Sequence, residues 1–214
     1  IDLLVVQATP FCNIDCRYCY LPDRANRRRL APETLTRLFE RIVEAPWLLG
    51  DELRLSWHAG EPLTLPCGYY TDAFAAIDGV VGGASTVSHS FQTNGTLIDS
   101  EWVEFILRHR VRIGLSLDGP AFLHDENRRM RSGGGTHAKV MRGASLLAAA
   151  QIPFSVIAVV TRQTLSHADA FYDFFRDHAI SRVALNVEEV ELFNARSTLG
   201  RETARQYQRF LERL

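Results

Sequence analysis

Three of the four cysteines lie within eight consecutive residues, at Cys12, Cys16 and Cys19, with the spacing Cys-x3-Cys-x2-Cys. Four cysteines in 214 residues are too few for a disulfide scaffold, so their crowding indicates a metal site in a reducing compartment. Three thiolates spaced in this way can hold a cube of iron and sulfide while one iron keeps no protein ligand. The spacing therefore predicts a 4Fe-4S cluster with one open iron.

A zinc ion is the alternative that the same thiols allow. Zinc in a structural site takes four ligands. The sequence has no second cysteine pair, although His58 or Asp15 can complete a set. The remaining cysteine, Cys67, is a lone thiol near a predicted helix start, and we assign no metal to it. In this alternative the chain is a non-catalytic metal-binding partner module.

The elements that must position these thiols are six strands, each followed by a helix. The strands are predicted at Leu3–Thr9, Leu53–Trp57, Val87–Thr93, Arg112–Asp118, Phe154–Thr161 and Arg182–Glu188. The helices are predicted at about Pro32–Glu44, Pro66–Ile77, Ser100–Arg108, Thr136–Ala150, Ser166–His178 and from Arg201 onward. Six such units imply parallel strands with right-handed crossovers. We therefore predict an α/β fold, an open partial (β/α)6 TIM-like barrel, as one domain over residues 1–214.

Alternation along the predicted strands gives them two different faces. One face is apolar and suits contact with helices: Leu53, Leu55, Trp57, Ile113, Leu115 and Leu117. The other face is small and polar: Ser56, His58, Ser90, Gln92, Asn94, Gly114, Ser116, Asp118, Asn186 and Glu188. Buried polar groups without partners cost a few kcal/mol each. We therefore expect the polar face to surround a ligand.

Composition and charge exclude several classes of function. With 46% apolar and 23% charged residues the chain is globular, and 24 Lys plus Arg balance 25 Asp plus Glu. We expect no nucleic-acid partner and no membrane span, because the chain has neither a basic excess nor a long apolar run. The predicted location is cytoplasmic. Arginines at 24–29 and 128–131 form basic patches that are either solvated faces or guides for an acidic leader peptide.

Several motifs resemble those of radical S-adenosylmethionine (SAM) enzymes. The cysteine triad encloses Tyr18, and residues 57–63, Trp-His-Ala-Gly-Glu-Pro-Leu, resemble the Gly-Gly-Glu-Pro motif of that family. The segments 92–96 and 116–120, with His124, Asp125 and Arg128, are similar to the peptide-modifying branch related to anaerobic sulfatase maturases. Segments 20–24, 57–63 and 131–139 most resemble the cyclophane-forming GrrM/OscB maturases.

The resemblance implies that Cys12, Cys16 and Cys19 hold the cluster and that SAM chelates its open iron. Reductive cleavage of SAM then releases methionine and a 5′-deoxyadenosyl radical that abstracts a hydrogen atom from the substrate. The implied SAM contacts are Tyr18, Ala59, Gly60, Glu61, Asn94, Ser116 and Arg128. Ala59 departs from the family motif, because it replaces a glycine, and we expect alanine to fit there only with a negative φ.

Glu188 and Asp118 are the candidate catalytic carboxylates. If an aryl ring couples to a substrate carbon radical, the intermediate must lose a proton, and a carboxylate on the polar face can accept it. A solvated acidic loop at Glu188 and a turn at Asp118, before Gly119, are the alternatives.

The implied partners are a ribosomally made precursor peptide and an electron donor of the flavodoxin or ferredoxin type. Relatives carry a C-terminal cysteine-rich SPASM domain. No cysteine follows Cys67, so we expect that domain to lie outside this chain. Sulfatase maturation, or another peptide oxidation, is the alternative activity within the family.

Overall fold

The computed structural model describes residues 1–45, 52–82, 85–200 and 203–214. The strands are β1 Leu3–Val6, β2 Glu52–Trp57, β3 Thr86–Thr93, β4 Arg112–Ser116, β5 Phe154–Val160 and β6 Val183–Val187. The helices are α1 Pro32–Val43, α2 Cys67–Val81, α3 Ser100–His109, α4 Ala121–Asn127, α5 His137–Ala149, α6 Arg162–Leu165, α7 Ala168–Asp177 and α8 Thr203–Arg213, with a 3-10 turn at Pro62–Thr64. No helix of the described segments is long and apolar enough to cross a membrane.

The six strands form one sheet in chain order, β1-β2-β3-β4-β5-β6. The β1–β2, β2–β3 and β5–β6 pairs are parallel, with Val6 opposite Trp57 and Val160 opposite Val187. Parallel neighbours joined through helices are the topology of a partial (β/α)6 barrel. The predicted α/β fold class is confirmed.

Element boundaries differ from the predictions at a few places. β1 ends at Val6 instead of Thr9, because the chain then pairs with residues 28–30: Leu30 N–H donates to Ala8 O at 2.8 Å. α4 and α6 were not predicted, because seven and four residues are too short to show helical periodicity. Arg201, the predicted start of the last helix, lies outside the described residues.

The chain divides into two compact units. The first comprises Ile1–Cys12, Asp23–Thr93 and Ile98–Ile113, and the second comprises Asn13–Pro22, Asn94–Leu97 and Gly114–Leu214. That residues 1–214 form one domain therefore stays a prediction.

Aromatic packing forms the core of the first unit. Trp57, fully buried, lies edge-on to Tyr70 at 5.2 Å between ring centroids. Its indole N–H donates to Nδ1 of His89 at 3.3 Å, and the His89 ring stacks on Phe74 at 3.6 Å. Burial, assisted by His109, lowers the pKa of His89 to about 4. His89 is therefore a neutral core residue at neutral pH.

The second unit contains buried strand residues and an aromatic cluster on α7 and α8. Leu115 and Leu117 are fully buried, as the alternation predicts. Phe171 of α7 lies 5.5 Å from Phe210 of α8 and 4.9 Å from Phe175, between ring centroids.

Candidate functional site

The segment that carries two of the predicted ligands is fixed through its backbone within the second unit. Cys16 and Cys19 are half-buried thiols. Three contacts join residues 14–17 to residues 127–130: Asp15 N–H donates to Arg129 O at 2.7 Å, Arg17 N–H donates to Asn127 O at 2.9 Å, and Ile14 and Met130 form an antiparallel bridge. We call residues 127–130 the clamp. Because backbone bonds hold this stretch, the path of the chain into Cys16 does not depend on side-chain rotamers.

Tyr18, between the last two cysteines, belongs to a buried network with Asp118 and Arg128. Its hydroxyl donates a short hydrogen bond to Oδ2 of Asp118. Arg128 holds the same carboxylate with two bonds, from Nε at 2.9 Å and from Nη2 at 3.1 Å. The backbone N–H of Val159 in β5 donates to Oδ1 at 2.9 Å. Asp118 therefore accepts four hydrogen bonds, and it joins the thiol segment to β5 and to the end of α4.

The charges in this network determine its protonation. Burial acts to raise the pKa of Asp118, but the charge and hydrogen bonds of Arg128 outweigh it, and the net pKa is lowered. Burial and the Asp118 charge raise the pKa of Tyr18 well above its usual value, against the opposing charge of Arg128. At neutral pH the network is therefore an ion pair with a protonated tyrosine.

A neutral histidine supports the network from behind. The backbone N–H of Asp118 donates to Nδ1 of His124 at 3.2 Å, which leaves the ring proton on Nε2. Nε2 then donates to Oγ1 of Thr136 at 2.9 Å, and that hydroxyl donates to the Arg128 carbonyl at 2.9 Å. Burial lowers the pKa of His124 to about 4. His124 belongs to the residues that carry the family resemblance, but its support of Asp118 could not be predicted from the sequence.

Asn94 lies at the end of β3 and contacts the residue that follows the first cysteine. Its amide nitrogen donates to Oδ1 of Asn13 at 2.8 Å, and its oxygen accepts from Thr96 Oγ1 at 2.7 Å. Asn13 in turn donates to Thr96 Oγ1 at 2.9 Å. Asn94, predicted as a SAM contact, thus anchors the thiol segment through Asn13.

Gly60 and Glu61, in the first unit, pack against the backbone of residues 9–11, which leads into Cys12. A Cβ atom on Gly60 would lie 2.1 Å from the Thr9 carbonyl oxygen and 2.9 Å from that of Phe11. The Glu61 backbone N–H donates to Phe11 O at 2.7 Å. Its buried carboxylate accepts from Leu63 N–H at 3.0 Å and Thr93 Oγ1 at 2.6 Å, both at Oε1. The glycine is required here because one backbone crosses another.

Ala59 adopts a φ of +70°, in the left-handed region, next to Gly60 at +62°. The expectation of a negative φ at this alanine is wrong. The backbone at residues 59 and 60 keeps the conformation suited to a pair of glycines, although residue 59 is an alanine. An L-residue pays an energetic cost of about 1–2 kcal/mol there.

Ser116 and Glu188 follow the second unit's strands. Ser116 is the half-buried last residue of β4. Glu188, directly after β6, is buried, and its Oε2 accepts from Thr198 N–H at 2.7 Å and from Ser197 Oγ at 3.1 Å. Glu188 is therefore a fixed, buried carboxylate and not part of a solvated acidic loop.

Cys12, Cys16 and Cys19 are half-buried thiols of one irregular stretch, and soft sulfur donors of this kind suit iron–sulfur ligation. Within the described ranges, no group of three or more His, Cys, Asp or Glu side chains lies close enough to hold a single metal ion. The sulfur donors themselves are of the type that the cluster predicted from the spacing requires.

A family comparison places these features in context. The family model described as "Radical SAM superfamily" matches residues 6–175, which is most of the chain. The chain belongs to the radical SAM superfamily. A serine-type anaerobic sulfatase-maturating enzyme of Klebsiella aerogenes is 34% identical over 172 residues, 80% of this chain and 42% of the relative. A protein of Synechocystis sp., described as uncharacterized, is 42% identical over 99% of the chain and 54% of its own length.

Solved radical SAM structures share the fold. Native anSMEcpe with bound AdoMet and Cp18Cys peptide is 26% identical, with a TM-score of 0.78, over 87% of this chain and 50% of that one. Streptococcus suis SuiB bound to precursor peptide SuiA superposes with a TM-score of 0.69 at 18% identity, which supports the fold alone. The chain spans about half the length of the relatives it matches.

Proposed function

We propose that this chain is the core of a radical SAM enzyme that modifies a ribosomally made peptide, with an aromatic-to-Cβ cyclophane crosslink as the product. The observation that carries the proposal is the cysteine triad with its supported loop, in a chain of this superfamily. The peptide substrate is further supported by the sulfatase-maturating relatives and by the structure of anSMEcpe with a bound Cp18Cys peptide. The cyclophane product rests on the sequence segments that resemble GrrM/OscB maturases.

Cys12, Cys16 and Cys19 would hold the 4Fe-4S cluster, and Tyr18, Ala59, Gly60, Glu61, Asn94, Ser116 and Arg128 would surround SAM. When bound, the cluster and SAM supply reductive cleavage of the sulfonium and hence hydrogen-atom abstraction. The residues of the chain would orient SAM and the substrate. Arg128 and Asp118 hold each other, so we propose that they orient Tyr18, with Asp118 acting through it and not as the base.

We propose Glu188 as the group that accepts a proton from the substrate. Its Oε2 is fixed by Ser197 and Thr198, which prevents the carboxylate from rotating. An oriented base within reach of its proton contributes about 10²–10⁴-fold to rate. An electron donor of the flavodoxin or ferredoxin type and a cytoplasmic location complete the proposal.

Anaerobic reconstitution tests the enzyme class. We expect about four iron and four sulfide per chain, and methionine with 5′-deoxyadenosine on reduction in the presence of SAM. Cys16→Ser should lose both the cluster and the cleavage. Cys67→Ser is the matched control and should keep both. One zinc per chain without SAM cleavage would refute the proposal and favour the metal-binding module.

Sulfatase maturation is the second candidate, favoured by the 34% identity to a serine-type maturating enzyme. Mass spectrometry of a peptide encoded beside the gene separates the two candidates. A crosslink within one peptide removes two hydrogens and introduces no aldehyde. A formylglycine product instead reacts with carbonyl reagents.

A further inference from the structure

A cavity of about 590 Å³ lies wholly within the second unit, beside the carboxyl ends of β5 and β6. Its walls include the proposed base Glu188 and Arg17, which lies between Cys16 and Tyr18. None of the residues predicted to contact SAM lines it. The cavity is therefore separate from the predicted SAM contacts.

The charges around the cavity do not balance. Arg17 is paired with Glu126, so these two charges cancel. Glu188, Arg162 and Arg196 remain, which leaves one positive charge in excess. Arg162 donates to the Thr198 carbonyl at 2.7 Å. Arg196 is an exposed side chain of the cavity rim, without a hydrogen-bond or ion-pair partner among the described residues. One further carboxylate would neutralise the cavity.

A second, independent feature of the cavity is a hydrogen-bond acceptor without a donor. The side-chain oxygen of Gln163, another lining residue, is buried without a partner in the part of the chain that the structure describes. A buried acceptor left in this state costs about 1–3 kcal/mol. The Gln163 side chain is only partly buried as a whole, so a rotation of its amide would present this oxygen to a backbone N–H of a bound peptide.

We infer that this cavity binds an acidic residue of the peptide substrate, whose carboxylate pairs with Arg196 while its backbone N–H donates to a Gln163 amide that has turned toward the cavity. Arg162 adds to the positive potential of the same wall. This inference rests on the proposed function and specifies its substrate class. It also places the acidic residue next to Glu188, so the modified position and the acidic residue would be close neighbours in the peptide.

The test uses fluorescein-labelled peptides that differ only by Asp, Asn or Lys at one central position. Their binding to the reconstituted holoenzyme with SAM is measured by fluorescence anisotropy. We expect the Asp peptide to bind about tenfold more tightly than the Asn peptide. Arg196→Gln should abolish that preference, and Arg196→Glu should reverse it in favour of the Lys peptide. Arg209→Gln, an exposed arginine of α8 away from the cavity, is the matched control and should keep the preference.

Three outcomes would overturn the inference. The first is equal affinity of the wild-type enzyme for the three peptides. The second is an equal loss of preference in Arg209→Gln, which indicates general charge attraction. The third is a tenfold weaker SAM affinity in Arg196→Gln, which assigns the anion to the SAM carboxylate. SAM cleavage without peptide is measured in parallel: its absence refutes the proposed function, whereas cleavage without peptide preference refutes this inference alone.

Discussion

Substitutions at the adjacent residues Ala59 and Gly60 should change stability in opposite directions. Both residues have left-handed backbone, with φ of +70° and +62°, so the conformational strain of an alanine is the same at each. Only Gly60 has no room for a methyl group, because the Thr9 carbonyl oxygen lies 2.1 Å from the Cβ position. The difference between the two sites therefore isolates the steric contact from the backbone strain.

The magnitudes follow from these two effects. Taking the middle of the expected ranges, Ala59→Gly removes about 1.5 kcal/mol of left-handed strain and loses about 0.7 kcal/mol through the more flexible unfolded chain, for a net gain of about 0.8 kcal/mol. Gly60→Ala adds that net strain and an overlap worth about 1–3 kcal/mol, for a loss of about 2–4 kcal/mol. For a chain of this size these values correspond to about +2 °C and −6 to −12 °C in Tm.

Urea and thermal unfolding of the cofactor-free chain, followed by circular dichroism, measure both effects. Gly60→Ala should also take up less iron during anaerobic reconstitution, because the displaced Thr9–Phe11 backbone leads directly into Cys12. The reasoning is refuted if Gly60→Ala costs no more than about 1 kcal/mol, or if Ala59→Gly lowers the stability.

The remaining predictions concern the buried network and the histidines. Asp118→Asn should lower the free energy of unfolding by about 3–5 kcal/mol, because it leaves Arg128 buried without a counter-charge; a loss below 1 kcal/mol in urea unfolding would contradict this. Tyr18→Phe removes one hydrogen bond to a charged group and should cost about 1.5–3 kcal/mol, while retaining the cluster by iron analysis. His89 and His124 have pKa values lowered to about 4 from 6.5, so the unfolded chain binds more protons and stability falls as the pH drops from about 6.5 toward 4, by up to about 2 kcal/mol for each histidine at pH 5. His124→Gln should remove its own share of this slope, up to about 2 kcal/mol in urea unfolding compared between pH 7 and pH 5, and an unchanged slope would refute the assignment.

The sequence was sufficient for the features that depend on local patterns. The strands alternate, so the burial of Leu53 and Leu115 and the α/β class could be predicted. The partner of Tyr18 could not, because Asp118 is 100 positions away and its choice among possible partners depends on tertiary packing. The left-handed φ of Ala59 was also beyond reach, since residue type alone argues against it.

The clamp on residues 14–17 bears on how the apoprotein acquires iron. Fixing the backbone of a residue costs about 1–2 kcal/mol, so ordering this stretch only on metal uptake would cost about 4–8 kcal/mol. The bonds from Asp15 to Arg129 and from Arg17 to Asn127 are made by the polypeptide alone, and that cost falls on folding instead. The cluster would then assemble in a loop whose backbone is already ordered. Its rate of assembly should therefore depend on delivery of iron and sulfide more than on rearrangement of the loop.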